Sequence, residues 1–236
     1  MMEKELQDKL RGLQLRLLTQ DKYAKNAVCD ELLGILKEQD DEHVKNEIRR
    51  IIVLPLVDLN REQDLLGCVQ ALLSQHDYEL NIVALMAKEH YLRRLNNMEE
   101  VLASHNQEIQ LTKEYGRDEM LAEAYLRRGK VLLELGKTDE ALRDFYSAIP
   151  MATERNSYNL VGVAKYYIGL CLFSMGHDEL GMEKLREASE IAHEQHCCDV
   201  AMHTEAYRAL KMLEKGRSDV AQEILKGWTD EFKLML

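Results

Sequence analysis

The chain has 236 residues, of which 46% are hydrophobic and only two are proline, so it can bury a sizeable core and is expected to be overwhelmingly helical. Its formal net charge of −11 argues against nucleic acid as a direct partner, because phosphate binding draws on clustered lysine and arginine. No stretch approaches the roughly 20 apolar residues that a membrane span needs, so a membrane is not an expected partner.

The start of the chain and its cysteines indicate a cytoplasmic protein. The opening sequence, MMEKELQDKLRG, is charged within its first residues and is no secretory signal. The five cysteines are an odd number, are widely scattered, and form no disulfide framework. A reducing cytoplasm is therefore the expected location.

Apolar periodicity and turn signals predict twelve helices in six antiparallel pairs with short connections. The pattern gives no linker rich in glycine, serine or proline that would divide the chain. The helices are expected near residues 3–19, 22–38, 42–57, 61–75, 78–95, 98–115, 119–135, 138–154, 158–175, 178–195, 199–215 and 218–234.

Three glycines, Gly136, Gly176 and Gly216, stand 40 residues apart, and each ends one amphipathic helix just before another begins. Asn96 holds the same place one period earlier. A glycine suits a helix C-terminus because it accepts a left-handed conformation without a Cβ clash. An internal period of this kind is typical of a stacked helical array and not of a globule with a single core.

Small and large residues keep fixed offsets from these glycines. A small residue lies seven positions before each glycine, another lies five positions after it, and a large apolar residue follows four positions later. Small residues on two antiparallel helices let the backbones approach closely, and the large residue fills the space between layers. The three sets are Gly129, Ala141 and Phe145; Gly169, Gly181 and Leu185; and Ala209, Ala221 and Leu225.

In these residues the chain resembles the tetratricopeptide repeat family. The best copy, AEAYLRRGKVLLELGKTDEALRDFYSAIP, runs from Ala122 to Pro150, and further copies cover 164–192 and 205–228. The period exceeds the family's usual repeat of about 34 residues, and similar long repeats occur in bacterial signalling and transcription-regulator domains. Signature positions are held by Tyr125, Gly129, Leu132, Gly136, Ala141, Phe145 and Ala148 in the best copy, by Gly169, Leu172, Gly176, Gly181, Leu185 and Ala188 in the second, and by Ala209, Met212, Gly216, Ala221 and Leu225 in the third.

The resemblance implies an all-α fold, a right-handed superhelix of about six antiparallel helix pairs in one continuous solenoid. Over residues 81–236 the repeats are expected at 81–118, 119–157, 158–197 and 198–236, and divergent helical hairpins are expected over 1–80. The first of these repeats matches least well, because Glu89, Val101 and His105 replace the expected small and large residues.

The sequence contains no Gly-rich phosphate loop, no nucleophile-elbow serine and no paired Cys-x-x-Cys sites. One segment, IAHEQHCCDVAMH, gathers imidazole and thiol groups that could bind zinc or copper. It straddles a predicted turn, and adjacent cysteines cannot both enter one tetrahedral site without strain, so ordinary turn packing fits equally well. We therefore predict no enzyme activity, no metal and no cofactor, with a metal or thiol sensor over His193–His203 as an alternative.

The resemblance also implies where a partner binds, because in the family the first helix of each pair lines an inner groove. The early part of this groove is basic and the later part is aromatic and aliphatic, which suits a peptide with an acidic segment followed by apolar residues. Alternatively, the arginines are solvated or paired, and the aromatic rings pack between repeats. The predicted groove residues are Met86, His90, Arg93, Arg94, Leu126, Arg127, Lys130, Tyr166, Leu170, Phe173 and Leu210.

The two ends of the array offer other contacts. In the first predicted helix, Leu6, Leu10, Leu13 and Leu17 lie on one face, which either packs onto the second helix or forms a homotypic coiled coil. The last helix is apolar, and an uncovered end suggests a homodimer contact, a docked partner or a chain that continues. The residues of the possible dimer contact are Trp228, Phe232 and Met235.

Taken together, these patterns predict a non-catalytic scaffold that binds a protein or peptide, regulatory in a bacterial signalling or transcription pathway. The alternative is the sensory or dimerisation region of a larger signalling enzyme, for example a diguanylate cyclase or kinase. That alternative predicts that the intact gene continues past Leu236 into an output domain.

Overall fold

The computed structural model describes residues 2–18 and 21–235, without the side chains of residues 2, 3, 198 and 228–235. Within these residues the regular structure is α-helical apart from a short 3-10 turn, Asp118–Met120, so the all-α prediction is confirmed. None of the helices described there has the length and apolar character needed to cross a bilayer. They are α1 (Met2–Leu17), α2 (Lys22–Glu38), α3 (Glu42–Asp58), α4 (Glu62–Leu73), α5 (Tyr78–Arg94), α6 (Met98–Glu114), α7 (Leu121–Glu134), α8 (Thr138–Glu154), α9 (Tyr158–Ser174), α10 (Asp178–Glu194), α11 (Cys198–Glu214) and α12 (Ser218–Met235).

The chain forms two compact units, and the first covers Met1–Glu108. In this unit each helix from α1 to α4 contacts the helix that follows it, and α3 also contacts α5. Leu10, Leu13 and Leu17 of α1 are buried in a core that includes Leu32 of α2. The leucine face of α1 therefore packs inside the unit, against the helices that follow it.

The second unit, Ile109–Leu236, contains three stacked hairpins, α7–α8, α9–α10 and α11–α12. The second helix of one hairpin packs against the first helix of the next, as α8 does against α9 and α10 does against α11. The first helices also contact one another, α7 with α9 and α9 with α11. This is the stacking of hairpins that the 40-residue period predicted.

Left-handed residues mark the turns at the predicted period. Gly136, Gly176 and Gly216 have φ angles of 73°, 80° and 72°, and Asn96 has a φ angle of 55°. The amide that follows Gly136 donates to the carbonyl of Leu132 at 2.8 Å, which satisfies a carbonyl left free at the helix end. The left-handed conformation expected at these positions is therefore confirmed.

Small-against-large contacts hold the hairpins of the second unit together. A Cβ atom added to Gly129 would lie 2.6 Å from the ring of Phe145. A Cβ atom added to Gly169 would lie 2.9 Å from the side chain of Leu185 and 3.1 Å from the carbonyl oxygen of Gly181. Because Phe145 and Leu185 are fully buried, the glycines are what allow the two helices to approach so closely.

In the first unit an ionic cluster takes the place of this apolar contact. Glu89 and His105 stand one period before Gly129 and Phe145 in the sequence. The Nε2 atom of His105 lies 3.4 Å from the Glu89 carboxylate, and its Nδ1 atom lies 3.0 Å from the carboxylate of Glu108. Since His105 is only 3% exposed and Glu108 is also buried, they form with the half-buried Glu89 a charged group at a position where the other repeats have none.

The cluster favours the charged forms of its members. Burial disfavours the protonated form of His105, but the carboxylates of Glu108 and Glu89 outweigh burial and raise the pKa of His105. Burial likewise disfavours the Glu89 carboxylate, but His105 and Arg93, which donates to Glu89 at 2.8 Å, lower the pKa of Glu89 to about 2. The group is therefore held together as paired ions.

Replacing Gly169 with alanine should lower the free energy of unfolding by about 1–3 kcal/mol, because the added methyl group meets a buried side chain and a backbone carbonyl. Gly34→Ala in α2 is the matched control. No atom lies within 4 Å of a Cβ added there, and alanine favours the helix over glycine by about 0.5–1 kcal/mol. Urea unfolding measures both variants, and a Gly169→Ala protein as stable as wild type would contradict the close approach.

The ionic cluster predicts a pH dependence of stability. The contribution of His105 is fully present below its unfolded pKa of about 6.5 and is lost as pH rises through the raised folded pKa. The contribution of Glu89 is present above its unfolded pKa of about 4.5 and is lost as pH falls toward 2. The stability advantage of wild type over His105→Gln should therefore be greatest between about pH 4.5 and 6.5. Urea unfolding at several pH values measures this advantage, and one that does not decline above this range contradicts the assignment.

Candidate protein-interaction surface

Aromatic side chains form a row along the first helices of the hairpins in the second unit. The rings of Tyr166 and Tyr167 on α9 are in edge contact, with centroids 5.1 Å apart. The ring of Tyr207 on α11 lies 5.7 Å from that of Phe173 and 6.5 Å from that of Tyr166. Tyr167 also stacks on Phe145 of α8 at 5.3 Å. We call Tyr166, Tyr167, Phe173 and Tyr207 the aromatic row, and its rings join consecutive hairpins.

Two lysines lie over rings of the aromatic row. The Nζ atom of Lys130 on α7 is 5.0 Å from the centroid of Tyr167, and the Nζ atom of Lys211 on α11 is 5.1 Å from the centroid of Phe173. An ammonium group at this distance is attracted to the face of the ring. Burial is the main cause of a lowered pKa of Lys130. The row therefore carries a cation near each end.

Of the groove residues predicted in the second unit, the structure brings three to the aromatic row: Lys130, Tyr166 and Phe173. Leu126 is a core residue, only 3% exposed. Leu170 is half-buried, and Leu210 is 47% exposed. The apolar area that a partner could reach is therefore contributed by Tyr166, Leu170 and Leu210.

The arginines beside this surface are engaged within the chain. Arg127 lies 3.3 Å from the carboxylate of Glu123, one turn away on the same helix. Arg128 donates two hydrogen bonds of 2.7 Å to Asp144 of α8, and this carboxylate is buried. An acidic partner would have to compete with these carboxylates for either arginine.

In the first unit α5 carries the other predicted groove residues, Met86, His90, Arg93 and Arg94. Met86 is 39% exposed and His90 is also exposed. Arg93 donates to Glu89, and Arg94 donates to the carbonyl of Val57 near the end of α3. Each arginine of α5 therefore has a partner inside the first unit.

Sequence reasoning missed three members of this surface, Tyr167, Tyr207 and Lys211. The signal that could have found two of them is the repeat period, because Tyr167 and Tyr207 stand 40 residues apart in the sequence. The groove positions that the family resemblance implies include the residue before each of these tyrosines. They do not include the tyrosine itself, whose ring covers the neighbouring hairpin.

The predicted dimer contact of Trp228, Phe232 and Met235 lies outside the described side chains. The backbone of α12 continues as helix through these positions.

The segment with clustered histidines and cysteines forms the turn between α10 and α11. His196 takes the left-handed conformation there, with a φ angle of 54°. The Nδ1 atom of His193 lies 3.3 Å from the hydroxyl of Ser189. Among the side chains that the structure describes, which exclude Cys198, no three histidine, cysteine or acidic groups come together to hold a metal ion.

Cavities of the described units differ in character from the aromatic row. One of about 590 Å³ in the first unit is lined by acidic groups of α3 and α5 together with His43 and His76. One of about 400 Å³ in the second unit is lined by groups of both charges, among them Arg186 and Glu223. Sites for small molecules are usually apolar with a few polar groups, so neither lining resembles one.

Solved structures share the fold of this chain. No family model matches the chain, and no curated protein matches it. The chain is similar to BtubC (BKLC) from P. vanneervenii, with a TM-score of 0.70 at 13% identity over 91% of this chain and 90% of that one.

Two further structures show the same similarity. A signal transduction ATPase with numerous domains (STAND) from Pyrococcus horikoshii, which has a tetratricopeptide repeat sensor, gives a TM-score of 0.69 at 17% identity over 92% of this chain and 37% of that one. MamA gives a TM-score of 0.52 at 17% identity over 78% of this chain and 92% of that one. The chain therefore has the fold of a tetratricopeptide-type helical repeat protein, as the resemblance predicted.

The contact of Lys130 with Tyr167 should be measurable in a double-mutant cycle. Lys130→Met combined with Tyr167→Leu should give a coupling energy of about 0.5–1 kcal/mol in urea unfolding, the size of a cation–π contact. The control cycle pairs Lys130→Met with Tyr146→Leu, because Tyr146 lies on α8 with its side chain 49% exposed. Its coupling should be near zero, and equal couplings in the two cycles would contradict the contact.

Proposed function

We propose that the chain is a non-catalytic scaffold that binds a segment of another protein along α7, α9 and α11. The observation that carries this proposal is the aromatic row with its two lysines, which spans three consecutive first helices. Rings fixed by their neighbours offer a large apolar contact with little further loss of side-chain entropy, and such residues are enriched in protein-binding hot spots.

The partner segment has apolar side chains that contact Tyr166, Leu170 and Leu210, and a carboxylate that approaches Lys130. The contact of Lys130 with a ring face leaves its ammonium group able to attract an anion, whereas Lys211 already donates to Glu214 at 2.8 Å and the neighbouring arginines already have carboxylate partners. In this arrangement the apolar contacts supply most of the affinity, and the carboxylate sets the direction of the segment.

The setting that we propose is regulation in a bacterial signalling or transcription pathway in the cytoplasm. Its support is the resemblance to long-period repeats of bacterial regulators. A preformed surface acts on a partner by favouring the conformation that it binds, so no chemical step is required of this chain.

The second candidate function is the sensory or dimerisation region of a larger signalling enzyme, such as a diguanylate cyclase or kinase. It is favoured by the similarity to the STAND protein with a tetratricopeptide repeat sensor, of which the chain covers 37%. Immunoblotting of native cell extract separates the two candidates. A band at the size of the 236-residue chain supports the scaffold, and a much larger band supports the sensory region.

Leu170→Glu should reduce capture of the partner from native extract by about tenfold or more, because it places a charge in the apolar part of the surface. Leu180→Glu is the matched control, with the same substitution at a leucine of α10 that is 51% exposed. Affinity capture followed by mass spectrometry measures both, with circular dichroism to check that each variant is folded. Equal recovery of every captured protein by the two folded variants contradicts the proposed surface.

A further inference from the structure

An apolar stripe on α11 is exposed in the second unit. Met202, Leu210 and Leu213 are 41%, 47% and 52% exposed, and Ala206 between them is exposed as well. Their spacings of four, four and three residues place all four on one face of the helix. We call these residues the end stripe. An exposed apolar face of this kind usually marks a contact surface.

Comparison with the preceding hairpins indicates what normally covers such a face. One period earlier, Phe173 holds the place of Leu213, and Tyr207 of the following hairpin covers it until 9% remains exposed. Two periods earlier, Lys130 holds the place of Leu210 and lies under Tyr167 of the following hairpin. In the described part of the chain no helix follows that covers α11 in this way.

The neighbouring helix α12 is likewise exposed at a position that the preceding hairpins bury. Leu225 stands one period after Leu185 and two periods after Phe145. Both of those residues are fully buried, whereas Leu225 is 42% exposed. Leu213 and Leu225 thus stand at positions that the fold buries in the preceding hairpin, whereas Leu210 matches the half-buried Leu170. An occupant that restores this burial has to present a helix with apolar residues along one face.

We infer that this occupant is α11 of a second copy of the chain, packed antiparallel in a two-fold symmetric dimer. The inference goes beyond the partner surface proposed above and does not rest on it, but the two surfaces share Leu210, so the second copy and the partner segment compete for that residue. In an antiparallel pair, Met202 faces the second copy's Leu213, and Ala206 faces the second copy's Leu210. The centre of the contact therefore repeats the small-against-large packing that joins α7 to α8 and α9 to α10.

Charges at the ends of the stripe support this orientation and this partner. Asp199 lies in the first turn of α11, Arg217 lies three residues after its last residue, and both are exposed. Antiparallel packing of two copies places Asp199 of each beside Arg217 of the other, and it brings His203 near Glu214 in the same way. Parallel packing would place like charges together, which is destabilising. The pattern of the stripe is therefore complementary to itself.

The contact is small, so the dimer is weak and reversible. The stripe from Met202 to Leu213 is about 17 Å long at about 1.5 Å per residue. One helix face of this length buries less than the roughly 1,600 Å² of a standard stable interface, so dissociation in the micromolar range is expected.

Sedimentation velocity of the 236-residue chain over roughly 1 to 200 µM tests the inference, since this range brackets the expected dissociation constant. Wild type should shift from monomer to dimer, and Leu210→Glu should remain monomeric with an unchanged circular dichroism spectrum. Leu170→Glu, which disrupts only the proposed partner surface, should dimerise like wild type. Monomeric wild type throughout, or a dimer that persists in Leu210→Glu, overturns the inference.

Charge reversal identifies the packing of the dimer. Asp199→Arg alone and Arg217→Asp alone should each weaken self-association by about tenfold or more, because like charges then meet at both ends. An equimolar mixture of the two variants should form heterodimers with an affinity close to that of wild type, because every end pair is again of opposite sign. A mixture that associates no better than either variant alone overturns the antiparallel contact.

Discussion

The second unit depends on the close approach of two helices at a glycine. Gly129 lets α7 come close enough to α8 for the ring of Phe145 to fill the space beside it, and Gly169 does the same for Leu185. Because these contacts are apolar and tightly packed, they set the distance between the helices of each hairpin. The position of every residue on the outer sides of the hairpin follows from that distance, including those that meet the next hairpin.

Burial in this array is shared between neighbours. Tyr167 of the next hairpin stacks on Phe145, which is fully buried, and Phe173 is covered by Tyr207 in turn. Each hairpin therefore completes the core of the one before it, as expected of a repeat protein whose stability comes largely from interfaces between neighbours. The aromatic row is a consequence of the same arrangement, since its rings seal one hairpin against the next.

The sequence was informative where one residue type is required by backbone geometry. Gly136 and Gly176 need a positive φ angle, and the glycine–large pairs need close approach, so helix ends and hairpin stacking could be predicted from spacing alone. Side-chain partners could not be predicted in this way. Arg127 has a carboxylate one turn away and Lys130 has a ring on another helix, and the choice depends on distances that appear only when the hairpins are stacked.

Glu89 and His105 form an ionic contact where the other repeats have an apolar one, and the two kinds of contact differ in how their contribution to stability depends on pH. The contacts of Gly129 with Phe145 and of Gly169 with Leu185 contain no titratable side chain, so their contribution to stability does not depend on pH. The ionic cluster of the first unit is strongest only where both His105 and Glu89 are charged. A buried ion pair must also offset the desolvation of its charges, so it contributes less than its short distances suggest. The same position in the repeat therefore gives a stability that is insensitive to pH in the second unit and a stability that responds to pH in the first.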